Sequence, residues 1–135
     1  MTLVLASFAM NHLWAALLVW NVTRHVDSSA HEHFSYKTLA ALLRMAHQHS
    51  FGHGVMYFIT GAIFLLADLP DRITLPLLTA AFVGAWLDSA SWFLLKYSSA
   101  QWEFLSMISG AAFTASFFIM TGISLHQMWS RQKNT

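Results

Sequence analysis

The sequence contains no cysteine. That absence excludes disulfides, thiolate-held metals, cysteine-ligated iron–sulfur clusters and thioether-attached haem. Any metal has to be held by His, carboxylate, Met, Asn or backbone oxygen. Charge is scarce too. Only 10% of residues are Asp, Glu, Lys or Arg, against about a quarter in soluble domains. Net charge is +1, with no basic run or Lys/Arg-rich stripe, which argues against a nucleic-acid partner. Also missing are a glycine-rich phosphate loop, a Gly-x-Ser-x-Gly elbow and a His-Glu-x-x-His motif. No two carboxylates lie at bundle depth, which argues against a di-iron carboxylate site. No Asp/Glu chain crosses the apolar blocks, so an extended proton relay is not written here.

What fills the space is hydrophobic: 56% of 135 residues, gathered into blocks long enough to cross a bilayer at about 20 residues each. The length fits a single domain, residues 1–135. Four blocks stand out, at about Leu3–Val22, Gln48–Ala67, Leu75–Leu95 and Phe104–Met128 (3–22, 48–67, 75–95, 104–128). Four strands cannot close a barrel, and an open strand leaves backbone groups unpaired in lipid, so the blocks are read as helices. The N-terminus has no Lys or Arg before its apolar run, and a secretory signal needs a positive start. Ser28, Ser29 and Ala30 imitate a cleavage site, yet the first block is read as a retained span. The short polar connections Leu69–Arg72 and Tyr97–Glu103 make neighbouring spans antiparallel. Small residues Gly61, Ala62, Gly84, Ala85, Gly110, Ala111 and Ala112 allow close helix approach. Tyr36–Ala46, with Leu39, Leu42, Leu43 and Met45 beside Lys37 and Arg44, has the pattern of a short interfacial helix. The expected fold is therefore an all-α integral membrane protein: an antiparallel four-transmembrane-helix bundle with a short interfacial helix before span two. Its expected place is a multi-pass position in an inner or plasma membrane, in contact with the lipid bilayer. Arg24, Lys37, Arg44 and Lys96 lie on one side and Arg72, Arg131 and Lys133 on the other, so charge sets no firm orientation.

Against this apolar ground, His12, His49, His53 and Asp88 are conspicuous. A central Asp costs roughly 2.5–3.5 kcal/mol on insertion scales, and ionisable groups at that depth are functional candidates. At helical spacing Met45, His49, His53 and Met56 share one face. A His pair at i, i+4 offers two converging imidazoles, and thioethers add soft donors suited to copper(I) or an axial haem position. Gly52 and Gly54 flank His53 and leave room for a flat ligand. Measured from the long-loop side, His12 lies about 15 Å deep, His53 about 8 Å and Asp88 about 12 Å, so one site can gather all three. Asp88 would orient a ligating imidazole or ligate directly. The competing reading is structural: Asp88 bonded to Ser89, Ser91, Asn11 or an indole, and His12 bonded across the bundle. Trp14, Trp86, Trp92 and Phe93 would wall a haem or quinone pocket, or simply pack. In the loop, His31-Glu-His33 with His25 and Asp27 offers a second metal candidate, which works only if the segment is extended.

These residues point to a small membrane cofactor-binding protein, with b-type haem or copper held by His53 or His49 and His12. Met56 is a further donor, and Asp88 tunes the set. Its expected role is electron transfer to or from a quinone, or accessory service among other subunits of a respiratory membrane complex. Self-association into a homo-oligomer is equally open. Two alternatives stand beside it. One is a copper- or zinc-handling protein in which His25, His31 and His33 capture the ion and Met45, His49, His53 and Met56 pass it inward. The other is a purely structural subunit.

Overall fold

The computed structural model describes residues 1–25, 29–67 and 69–132, with the side chains of residues 23–25 and 131–132 left outside the description. Asp27, Asp68, Lys133 and the side chains of Arg24, His25 and Arg131 therefore lie outside the described residues. Among those described, 91% are helical and none is in a strand. The helices are α1 (Thr2–His25), α2 (Ala30–Ser35), α3 (Leu39–Leu65), α4 (Asp71–Tyr97) and α5 (Glu103–Gln132), with a 3-10 turn at Ala100–Trp102 before α5.

Local chemistry sets the helix starts. Ser29 Oγ accepts from the Glu32 N–H at 3.1 Å and opens α2. Thr38 Oγ1 accepts from the Ala41 N–H at 3.2 Å and opens α3. Each supplies an acceptor to a first-turn N–H that has no partner within its own helix. Asp71 and Glu103 place negative charge in the first turns of α4 and α5, where the helix dipole favours it. Pro76 removes one backbone donor near the start of α4 without ending the helix.

The segment expected as a separate interfacial helix, Tyr36–Ala46, is not separate. From Leu39 it runs into the second apolar block as one 27-residue helix, α3, about 40 Å long. No glycine or proline interrupts residues 39–51, so nothing breaks the helix there. The short independent helix is α2, which lies earlier in the connection.

Among the described residues, three helices are long and apolar enough to cross a membrane: Thr2–Val22, Asp71–Tyr97 and Ala100–Ser130. The segment containing the expected second span has the length but not the apolarity. His47, Gln48, His49, Ser50, His53 and the glycines around them dilute its hydropathy.

Two clusters hold the bundle. The larger joins Met56, Tyr57 and Phe64 of α3 to Ala81 and Ala85 of α4 and to Phe113, Phe117 and Met120 of α5, with Phe8 and Ala9 of α1 at its edge. The smaller joins Phe34 of α2, Leu42 of α3, and Trp92 and Leu95 of α4. Phe34 and Trp92 stack at 5.4 Å between centroids. The α2 helix is also tied to the end of α4: Lys96 Nζ donates to the Ser35 carbonyl at 2.9 Å, and His31 Nδ1 donates to the Leu95 carbonyl at 2.8 Å. The His31 backbone N–H reaches Glu103 Oε1 at 2.8 Å.

The most extensive contact is α4 against α5. It is tight at Gly84, where an added Cβ would stand 3.1 Å from Phe113 Cβ and 3.2 Å from both the Phe113 nitrogen and the Ser109 carbonyl oxygen. Those are mostly backbone neighbours and cannot swing away. Gly84→Ala is expected to lower bundle stability by about 1–3 kcal/mol, the usual cost of overpacking a tight interface. Gly122→Ala, where a new methyl meets nothing within 4 Å, is expected to be neutral or slightly stabilising. Thermal unfolding of both variants in detergent checks the contrast.

Candidate functional site

A line of polar and aromatic rings runs between the two clusters. Four of its members come from α1 and α3, because His49, His53 and Tyr57 repeat every four residues on α3 and His12 faces them from α1. His12 and His53 have ring centroids 6.3 Å apart, and His53 and His49 are 5.6 Å apart. His53 stacks on Tyr57 at 5.5 Å and tilts against Phe113 at 5.0 Å. His12 lies flat on Phe117, centroids 4.2 Å apart and planes within 5°.

The hydrogen bonds assign roles to the ring nitrogens. His12 Nδ1 lies 3.3 Å from the Phe8 carbonyl oxygen, which can only accept, so Nδ1 carries the proton. His12 Nε2 is then the acceptor, 3.4 Å from the Tyr57 hydroxyl. His49 repeats the arrangement, with Nδ1 donating to the Met45 carbonyl at 3.0 Å and Nε2 left as a lone pair. A backbone carbonyl on one ring nitrogen is how ligating imidazoles are usually oriented. His53 differs: its Nδ1 is buried and has no hydrogen-bond partner.

Asp88, half-buried on α4, accepts from Ser106 Oγ of α5 at 3.0 Å. Trp92 lies one turn further along the same helix. Ser91, named beforehand as a possible partner, donates instead to the Asp88 backbone carbonyl at 2.6 Å. No imidazole hydrogen-bonds to the carboxylate among the described residues. Asp88 joins the line at one remove, because Trp92 meets the edge of His49 with centroids 4.9 Å apart.

The sequence-derived candidates thus separate into groups. His12, His53 and His49 are brought together, and Asp88 closes the same line through Trp92. Met56 is buried in the larger cluster, while Met45 packs with the smaller one, so the two thioethers do not share a site. His31 and His33 both lie in α2. The extended backbone that a His31–His33 chelate requires is absent, because i and i+2 side chains diverge on a helix. Trp14 and Trp86 face outward, at 63% and 66% exposure, so neither walls the line. Asn11 is exposed and does not reach Asp88. No three His, Asp or Glu side chains converge as a metal-holding group among the described residues.

Tyr57 escaped the reading of the sequence. It is fully buried and sits four residues after His53, on the stripe already singled out. Met56, one residue earlier, drew attention as a soft donor. Ser106 carried no signal of its own, since one serine in an apolar helix is unremarked until a carboxylate faces it.

Residues 21–135 match the Aq_1264_TM family, described as a transmembrane helical domain. The chain belongs to that family. No curated protein and no solved structure matches it. With three membrane-length apolar helices, this member of the Aq_1264_TM family is a multi-pass membrane protein. The matched stretch includes His49, His53, Tyr57, Asp88 and Ser106, whereas His12 precedes it.

Ser106→Ala is expected to destabilise the family's α4–α5 pair by about 1–3 kcal/mol, because a half-buried carboxylate loses a donor that lipid cannot replace. Ser130→Ala, at an exposed hydroxyl near the end of α5, is expected to stay within about 0.5 kcal/mol of the parent. Chemical or thermal unfolding of the purified protein measures both.

Proposed function

We propose that this protein binds one redox-active transition metal between His12 and His53, within a bundle in which α3 crosses the membrane as a fourth span. The observation that carries the reading is the His12–His53 pair itself. Two imidazoles set in line across one ion through bonds of about 2.0 Å bring their centroids to roughly 6–6.5 Å, and the observed separation is 6.3 Å. His12 is already anchored through Nδ1 to a carbonyl, and His53 has a buried nitrogen without a partner.

Two protein donors suit a particular chemistry. Structural zinc asks for four protein ligands and catalytic zinc for three. Copper(I) is a soft ion that accepts few donors, and haem iron takes only axial ligands from the protein. The shared chemistry is therefore bis-imidazole ligation of copper or of b-type haem iron. The two forms demand different space. A copper ion needs only that the rings turn and that the Tyr57 hydroxyl give up its long contact to His12. A porphyrin does not fit the rings as packed, because His12 lies flat on Phe117. It would need α1 to move outward. That helix is the least embedded of the long ones, burying Leu5 and His12 while most of its remaining surface is exposed.

In this reading the line His12–His53–His49–Trp92–Asp88 surrounds the centre with imidazole and indole. Met56 supplies apolar packing beside it. The corresponding role is electron transfer, to a quinone or to other subunits of a respiratory membrane complex, since the short connections offer little surface for a substrate of the protein's own.

Spectroscopy and elemental analysis of the detergent-purified protein test this. A Soret band with a b-type reduced α-band identifies haem, and a silent spectrum with stoichiometric copper identifies the ion. In either case His53→Ala and His12→Ala are expected to abolish or shift the signal, while Tyr57→Phe and Trp20→Ala retain it. Purified protein that carries neither metal after supplementation, or a signal untouched by His53→Ala, overturns the proposal.

A further inference from the structure

The α1 helix carries a polar group that the bundle does not use. Asn11 lies at the middle of the Thr2–Val22 span. Its side chain is exposed, and it has no hydrogen-bond partner among the described residues. The neighbouring residue, His12, is buried and turned about 100° away around the helix, so the amide points off the bundle. An outward-facing carboxamide at that depth meets acyl chains, which offer neither donor nor acceptor, and polar groups in that position are disfavoured without a partner.

We propose that two copies of this chain pair through α1, with the two Asn11 carboxamides hydrogen-bonded to each other across a two-fold axis. A carboxamide carries both a donor and an acceptor, so it is complementary to itself. A two-fold interface sets each residue against its own counterpart or exchanges a pair of positions. The surroundings suit a second copy. The face around Asn11 is formed by Val4, Ser7, Trp14, Ala15 and Leu18, all exposed on α1. It has no charge to be matched, Ser7 and Ala15 one turn to either side of the amide are small, and the Trp14 ring flanks the contact. The Ser7 hydroxyl is occupied by the Leu3 carbonyl at 2.8 Å, so Asn11 is the group that seeks a mate. The pairing leaves the inward face of α1 untouched, and it stands whether or not His12 binds a metal.

Reconstitution of the full-length protein into liposomes tests the pairing. The chain has no native cysteine, so single introduced thiols report contacts cleanly. Ser7→Cys and Ala15→Cys are expected to give disulfide-linked dimers on mild oxidation. Leu13→Cys, at similar depth but about 200° around the helix from Asn11, is expected not to. Asn11→Leu is expected to raise the dimer dissociation constant about fivefold or more, read by energy transfer between labelled copies as the lipid is diluted. Asn11→Gln keeps the amide and is expected to retain most of the association. Unchanged helicity in Asn11→Leu separates lost pairing from lost fold. A monomer at all lipid ratios, cross-linking as strong at Leu13→Cys, or an Asn11→Leu variant that dimerises like the parent each overturns the proposal. These readouts involve no metal, so they fail or succeed apart from the His12–His53 site.

Discussion

The close approach of α4 and α5 at Gly84 is the constraint on which the remaining geometry rests. Without a side chain there, the Phe113 backbone sits almost against α4. That fixes the height of Phe113 and, one turn on, of Phe117. These two rings are what His53 and His12 pack against. The α3 helix then settles across the pair through Met56, Tyr57 and Phe64, and α1 rests on the edge through Phe8 and Ala9. The order of embedding, with α4 and α5 innermost and α1 outermost, follows from how many faces each helix can hide.

Placing imidazoles in this setting has a physical consequence. In water an unpartnered ring nitrogen is solvated at once. In an apolar bundle it must find a carbonyl, a hydroxyl or a ligand. The chain answers with its own carbonyls for His12 and His49, which is the cheapest local solution on a helix because the i−4 oxygen is always within reach. The same solution fixes the tautomer, and in buried His12 it turns the opposite lone pair toward the Tyr57 hydroxyl, whereas His49 is exposed. His53 does not adopt it, and its buried Nδ1 stays without a partner, as do the Thr60, Ser89, Ser99 and Thr121 hydroxyls. Asp88 is resolved differently. It reaches sideways to Ser106 on the neighbouring helix, so its first effect is to tie α4 to α5.

Several parts of this arrangement were legible in the residues alone. Apolar blocks announced long helices because lipid-length runs have few other uses, and the i, i+4 spacing of His49 and His53 announced a common face. The polar interruption at His47–Gly54 was legible too, but its meaning was not. It dilutes the hydropathy of α3 and leaves three helices that qualify by composition. The continuity of α3 from Leu39 was missed because an amphipathic start and an apolar continuation read as two objects, although no breaker separates them. The His31–His33 pair was misleading for a similar reason. Two residues apart suggests a chelate in extended chain, and Ser29 caps a helix there instead.

Periodicity and composition, which depend only on neighbours along the chain, determined the helical class, the membrane setting and the face shared by His49 and His53. Which rings meet across the bundle depends on helix rotation and height, and those are fixed by packing between elements far apart in sequence. Only the folded structure could therefore place His12 beside His53, with 40 intervening positions reduced to a 6.3 Å separation of rings. Only it could set Tyr57 under His12, turn Asp88 toward Ser106, and leave Asn11 facing outward.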